Sequence, residues 1–283
     1  MSDAKLDFSF DARVAVQYDE LRGHPPEVSR AIGAAVLREV GPMSRMLELG
    51  IGTGRIALPV AAAGCRVVGI DLSAEMLDAL RRQLPGHAGE PIDLVRGDIA
   101  VLPFRAATFD AAMATHILHL VPDWKSVLGR LAEVLRPGGA ILLGRDWVDP
   151  ASMAGRIRMA FRQAVMAAGF HTAAPAGGKP LHEALLGVGA SPVHAGPGEL
   201  VAAEWQAEVS PAQVLQGIRS RDDAESWVLP DEILEPVSAQ LDEFAAREWA
   251  EPERPQVVLR RFLISVYRNG GAPPTPAVAP AAP

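Results

Sequence analysis

The chain is poor in cysteine, in net positive charge and in long apolar runs, and each shortage excludes something. One cysteine, Cys65, stands among 283 residues, which rules out an intrachain disulfide and any cysteine-built zinc or iron–sulfur cage. It sits in AAAGCRVVGI and reads as a small buried hydrophobe. No uninterrupted apolar stretch approaches the roughly 20 residues of a membrane-spanning helix, so no membrane is expected as a partner. The opening MSDAKLDFSFDAR mixes acidic residues into a segment with no apolar core, unlike a secretory signal, and a cytoplasmic location is expected. A formal net charge of −7 argues against nucleic acid, whose binding relies on Lys and Arg neutralising phosphates. The basic run RRFLISVYR reads as strand alternation. What remains, 49% hydrophobic and 22% charged residues, suits an ordinary globular protein with a small-molecule substrate.

From residue 45 to about 147 short β-branched runs alternate with helix-like segments, the pattern of parallel strands joined by crossover helices. RMLEL, RVVGI, IDLVRG, FDAAMAT and AILLGRD are predicted strands. RIALPVAAAG and SAEMLDALRRQL are predicted helices, the second capped by Ser73 with Met76, Leu77, Leu80 and Leu84 on one face. The helix in DWKSVLGRLAEVLRPGG is expected to stop at Pro137, Gly138 and Gly139. PPEVSRAIGAAVLREVG and MAGRIRMAFRQAVMAAGF read as flanking helices. Further on, AAPAGGKP and GASPVHAGPG carry glycine and proline at loop density. ELVAAEWQAEVS and QVVLRRFLISVYR read as strands, with helices SPAQVLQGI and DEILEPVSAQLDEFAAREWA between them. The closing GGAPPTPAVAPAAP has too little to bury and is expected to be a disordered tail.

The glycines of MLELGIGTGR define the ligand question. A dinucleotide fingerprint needs G-x-G-x-x-G, but after Gly50 and Gly52 the third position is Arg55. The remaining E-x-G-x-G-x-G places Glu48 where it can face a cationic group. Asp71, closing the next strand, can accept both hydrogen bonds of a ribose diol. Asp98 followed by Ile99, after the third strand, suits an adenine amino group and the ring beside it.

The segments ELGIGTGR, GIDLSAEML, RGDIAVLPF, FDAAMATHILHLVPDW and EVLRPGGAILL, in that order and spacing, resemble the successive motifs of class I S-adenosylmethionine-dependent methyltransferases of the type 11 kind. The resemblance covers roughly residues 10–147. It implies an α/β fold, a Rossmann-like three-layer sandwich whose seven-stranded, mostly parallel sheet has an antiparallel last strand, with helical N-terminal and lid elements. It implies S-adenosyl-L-methionine as cofactor and S-adenosyl-L-homocysteine as product. Carried over by residue, Gly50, Gly52 and Thr53 would pass close to the methionine moiety and Glu48 would orient its amino group. Asp71 would hold the ribose, while Leu72 and Met76 would line the adenine pocket. Asp98 would read the adenine amino group and Ile99 cover the ring. Thr115 and His116 would lie beside the sulfonium, and Tyr18 would close over the cofactor.

The same resemblance implies one domain over residues 1–268: a helical cap at 10–41, a cofactor-binding core at 42–149, a substrate or lid region at 150–255, and a last strand at 256–268. The tail is 269–283. His116 is the candidate base and His119 a second, since a histidine is the natural acceptor of a proton released by a phenol, hydroxyl or ammonium. Asp146 and Trp147 are candidates for substrate contact, lying at the sheet edge where open α/β sheets bind ligands. No metal is expected, because the His116–His119 spacing has no carboxylates to complete a site. Phe161, Phe170, Trp205 and Trp227 can line an acceptor pocket or anchor helices, and His171, His182 and His194 can be lid or loop residues. The expected activity is methyl transfer to a small organic acceptor by a monomer or homodimer. Two alternatives stand beside it, a cofactor-binding protein of this fold without methyl transfer and a NAD(P)-dependent oxidoreductase. The missing second cysteine disfavours the family's arsenic branch.

Overall fold

A computed structural model describes residues 23–87, 89, 91–170, 177–194, 199–222, 224–227 and 229–270. Tyr18, His171 and the tail from 271 onward lie outside the described residues.

Helix α1 (Pro26–Val40) starts with proline at its first position, where the missing N–H costs nothing, and buries Val28, Ile32, Ala35 and Val36 along one stripe. It lies against α2 (Ala57–Ala62). Their crossing depends on Gly33, where a Cβ would come within 2.2 Å of the Pro59 carbonyl oxygen. Gly33→Ala is therefore expected to destabilise the fold by about 1–3 kcal/mol, the usual cost of overpacking; an unchanged urea midpoint would show that the helices can separate freely.

The sheet contains β1 (Arg45–Leu49), β2 (Arg66–Asp71), β3 (Ile92–Arg96), β4 (Phe109–Thr115), β5 (Leu135–Val148), β6 (Ala190–Pro192), β7 (Glu199–Val209) and β8 (Gln256–Asn269). Its order is β3-β2-β1-β4-β5-β8, and β6 and β7 share the far edge of β8, pairing with Tyr267–Asn269 and Gln256–Ser265 respectively. The sheet is thus seven places wide although eight strands fill it. β1 to β5 pair in parallel, and β8 alone runs against its neighbours. This agrees with the mostly parallel sheet and reversed last strand expected from the sequence.

Helices cover both faces. Residues of α1, α2 and α3 (Ala74–Gln83) pack on one side with Met46, Met113 and Phe262. Those of α4 (Trp124–Val134) and Leu185 of α6 (Gly178–Gly187) pack on the other with Leu47, Ile70 and Tyr267. A third cluster joins Ile157 and Phe161 of α5 (Met153–Ala167), Leu215 and Ile218 of α7 (Pro211–Arg219), and Val237 and Leu241 of α9 (Asp231–Glu248). Phe161 anchors this cluster, and Phe170 packs against it.

Three details depart from the sequence reading. α4 stops at Val134 and the chain enters β5 at once, so that Arg136, Pro137, Gly138 and Gly139 form a bulge between the pairs Phe109–Leu135 and Ala111–Ala140. Asn269, buried at the end of β8, fixes this turn by donating from Nδ2 to the carbonyls of Ala132, Leu135 and Arg136. The supposed loops hold α6 and β6, because Leu181, Leu185 and Ala190 find an apolar surface to cover, and such packing overrides weak local propensity. A short helix, α8 (Ala224–Trp227), was also unread.

The chain leaves β1 for β2 and β3 on one side and returns to β4 on the other, so the sheet order reverses between β1 and β4. Crevices of open α/β sheets form at the carboxyl ends of strands flanking such a reversal. Glu48, Thr115 and Asp146 all lie near those ends.

Candidate functional site

The three glycines after β1 all have positive φ, 65° at Gly50, 55° at Gly52 and 89° at Gly54, a region that L side chains rarely adopt. They serve different purposes. A Cβ on Gly50 would meet the Ile117 side chain at 2.6 Å and one on Gly54 the Leu80 side chain at 2.5 Å, whereas one on Gly52 would meet nothing within 4 Å. Gly50 and Gly54 are thus small because the protein packs against them, and only Gly52 faces open space. The Gly52 N–H donates to Asp71 Oδ2 at 2.8 Å, and the Ser73 N–H donates to Oδ1 at 2.9 Å. Asp71 therefore ties the end of β2 to the glycine turn. Burial raises its pKa, opposed by the backbone donors of Ser73, Gly52 and Leu72.

Glu48 is 3% exposed. Burial pushes its pKa up to about 8; the Arg55 cation opposes the rise and the Asp71 charge adds to it. Its Oε2 has no hydrogen-bond partner, an arrangement that costs free energy unless a ligand supplies one. Thr115 Oγ1, at the end of β4, is buried and unpartnered in the same way. The other residues singled out from sequence differ in their surroundings. Asp98 is exposed and caps the turn at Ile99–Val101, its Oδ1 accepting the Ala100 N–H at 2.8 Å, while Ile99 is buried. Leu72 is 67% exposed, an apolar surface open to a flat ligand. Met76 and Thr53 are buried, and the Thr53 carbonyl accepts from Gln83 Nε2.

A second group of side chains converges on Asp146 of β5. His24 Nε2 lies 2.7 Å from its Oδ1; Arg55 Nη1 donates to Oδ2 at 2.9 Å, and His116 Nε2 lies 3.0 Å from the same oxygen. Burial alone would raise the Asp146 pKa, but Arg55, His116 and His24 together hold it well below the usual carboxylate value. The His24 and Arg55 side chains are 3% and 9% exposed. His24 meets the rings of Trp205 and Phe262 edge-on, each at 5.5 Å. His116 has φ 52°, a conformation that costs on the order of 1 kcal/mol and tends to occur at functional sites.

His24 and Arg55 were not singled out as site residues from sequence. Arg55 was read only as the departure from a dinucleotide turn, and nothing local marks His24, which is 122 positions from Asp146. Trp147, adjacent to Asp146, points to the other face of β5, with the Arg261 guanidinium 4.8 Å from its ring centroid. His119 is exposed on the turn Leu118–Leu120, outside the Asp146 group. His182 meets Tyr267, with 2.8 Å between Nδ1 and the phenol oxygen, and His194 lies 3.8 Å from Glu39. Among the described residues no three His, Cys, Asp or Glu are grouped to hold a metal, and Arg55 already supplies the cation beside Asp146. No helix among them is long and apolar enough to cross a membrane.

The strand ends thus offer a buried carboxyl at Glu48, carboxyl groups at Asp71 and Asp98, an exposed apolar side chain at Leu72 and, after β4, the His116 ring. Residues 47–143 match the family described as a methyltransferase domain. Over these residues the chain is similar to S-adenosylmethionine-dependent methyltransferases of class I. Its curated relatives include a demethylmenaquinone methyltransferase of Clavibacter sepedonicus, 35% identical over 43% of this chain and 50% of that protein. A phosphatidylethanolamine N-methyltransferase of Cereibacter sphaeroides is 35% identical over 44% of this chain and 61% of its own length. The match therefore spans between half and about three fifths of these relatives. A putative methyltransferase of Bacillus halodurans shares the fold of the methyltransferase domain at a TM-score of 0.54 and 17% identity, over 84% of this chain and 98% of that one.

Proposed function

We propose that this protein transfers a methyl group from S-adenosylmethionine to a small organic acceptor and releases S-adenosylhomocysteine. The observation that carries the reading is Glu48: a buried carboxyl beside a glycine turn, with its Oε2 unpartnered, suits a ligand that brings its own positive charge. The cofactor supplies a methyl carbon activated by positive sulfur. The chain's own residues bind, orient and exclude water, since in-line displacement depends above all on a positioned and desolvated nucleophile. In this reading Glu48 takes the amino group, Asp71 the ribose, and Asp98 with Ile99 and Leu72 the adenine. Gly52 allows close approach, and Thr115 and His116 stand where the acceptor enters. Residues 150–255, with the cluster around Ile157 and Leu241, serve as the acceptor-selecting lid.

The two curated relatives are named for different acceptors, a menaquinone precursor and a phospholipid amine, although each shares about 35% of its aligned residues with this chain. This supports assigning the matched region to the cofactor and the acceptor to the rest. Calorimetric titration with S-adenosylhomocysteine and with NADH is the direct test. Micromolar binding of the first is expected, and binding of NADH alone would overturn the reading. Incubation of cell extracts with methyl-deuterated cofactor, followed by mass spectrometry, then identifies the acceptor; no labelled product despite cofactor binding would favour a binding protein of this fold.

A further inference from the structure

His116 Nε2 lies 3.0 Å from the Asp146 carboxylate and 3.1 Å from the Asp146 backbone N–H. One nitrogen cannot satisfy both. The N–H needs a lone pair on Nε2, whereas the carboxylate needs a proton there. The Arg55 guanidinium, which always donates, holds Asp146 as an anion, and a bare Nε2 against an anionic oxygen would set lone pair against lone pair. Hydrogen bonds to an ionised acceptor are also about twice as strong as neutral ones. The proton therefore belongs on Nε2, and the lone pair of the neutral ring is at Nδ1.

We propose that Asp146 is a positioning residue that fixes this tautomer, leaving Nδ1 of His116 as the base for an acceptor that loses a proton on methylation: a hydroxyl, a phenol or an ammonium group. His24 and Arg55 are positioning residues one step further back, gripping the carboxylate from two sides. The inference rests on the methyltransferase reading above. Its balance is simple. An ammonium acceptor first gives its proton to Nδ1, which frees the lone pair, and a hydroxyl or phenol gives it as the bond forms; the lone pair makes the new bond to carbon, the carbon–sulfur pair goes to sulfur, and the proton passes from Nδ1 to water. While the proton is held, the imidazolium is paired with Asp146. Three features make the arrangement more than packing: the nearly buried Arg55 guanidinium reaches both the carboxylate and His24 Nε2, His116 is held at positive φ, and its side chain remains 33% exposed.

Long-range 1H–15N spectra of the uniformly 15N-labelled protein with S-adenosylhomocysteine at pH 8 test this directly, the His116 signals being assigned by their loss in His116→Gln. The expected result is protonated Nε2 and bare Nδ1. The opposite tautomer, with Nε2 accepting the Asp146 N–H, overturns the proposal. In Asp146→Asn the preference for Nε2–H is expected to be lost; its persistence would also overturn the role of Asp146. Should that variant fail to fold, the wild-type tautomer decides alone. Calorimetry of S-adenosylhomocysteine on the same wild-type sample reports separately on the cofactor reading. Deuterated methyl recovered on an atom that carried no proton would overturn the acceptor class.

Discussion

Asp71→Ala is expected to weaken S-adenosylhomocysteine binding about a hundredfold. In the proposed site the carboxylate accepts from the ribose, and it already holds the N–H groups of Gly52 and Ser73. A hydrogen bond to a charged group contributes about 1.5–3 kcal/mol, and about 2.7 kcal/mol already corresponds to two decades in affinity. The alanine variant loses the ribose acceptor and also frees the turn whose Gly52 amide it fixed. Asp71→Asn should fall between the two, because one amide oxygen remains as acceptor while the NH2 group opposes a backbone donor. Calorimetry checks both variants, with circular dichroism to confirm folding. A folded Asp71→Ala protein with wild-type affinity would remove Asp71 from the site.

The parallel half of the sheet was legible because its signals are local. FDAAMAT is an apolar run of strand length that coincides with β4, and Ser73 at the start of an amphipathic segment caps α3 as its hydroxyl requires. The region after residue 170 was legible only in part. Gly178, Lys179 and Pro180 look like loop, yet the helix they open is formed because Leu181 and Leu185 meet the sheet, and that surface is assembled from distant strands. The site divides in the same way. Glu48, Asp71 and Asp98 lie at or just beyond the ends of consecutive strands, so strand assignment places them at one edge. The partners of Asp146 come from a segment before α1, from the glycine turn and from the end of β4, and no spacing rule links them. The sequence reading puts Gly50 and Gly52 alike beside the ligand and leaves Gly54 aside, since only the packing separates Gly52, which faces open space, from Gly50 and Gly54, which accommodate Ile117 and Leu80.

Glu48→Gln is expected to remove one destabilising part of the protein's pH dependence. In the unfolded chain a glutamate titrates near its model value of 4.5, whereas in the fold burial pushes Glu48 up to about 8. Between these values the native state holds a proton that the unfolded state has lost, so stability falls as pH rises. Below the unfolded value both states are protonated and the contribution vanishes; above about 8 it levels off at its largest cost. At about 1.36 kcal/mol per pH unit the full penalty is on the order of 5 kcal/mol. Glutamine keeps the shape without the titration, so the variant should match the wild type near pH 4 and exceed its stability increasingly toward pH 8 in urea unfolding. Asp146 does not confuse the comparison: its depressed pKa means that its contribution is lost only as pH falls below the ordinary carboxylate value, outside this window. The same proton connects stability to function. A ligand that brings an ammonium group to Glu48 favours the ionised form, so S-adenosylhomocysteine binding near pH 7 should release up to one proton. That release appears as a calorimetric enthalpy that varies with the ionisation enthalpy of the buffer, and it should disappear in Glu48→Gln. A wild-type enthalpy independent of buffer would mean that Glu48 meets no cation, and the residue that carries the methyltransferase reading would lose its role.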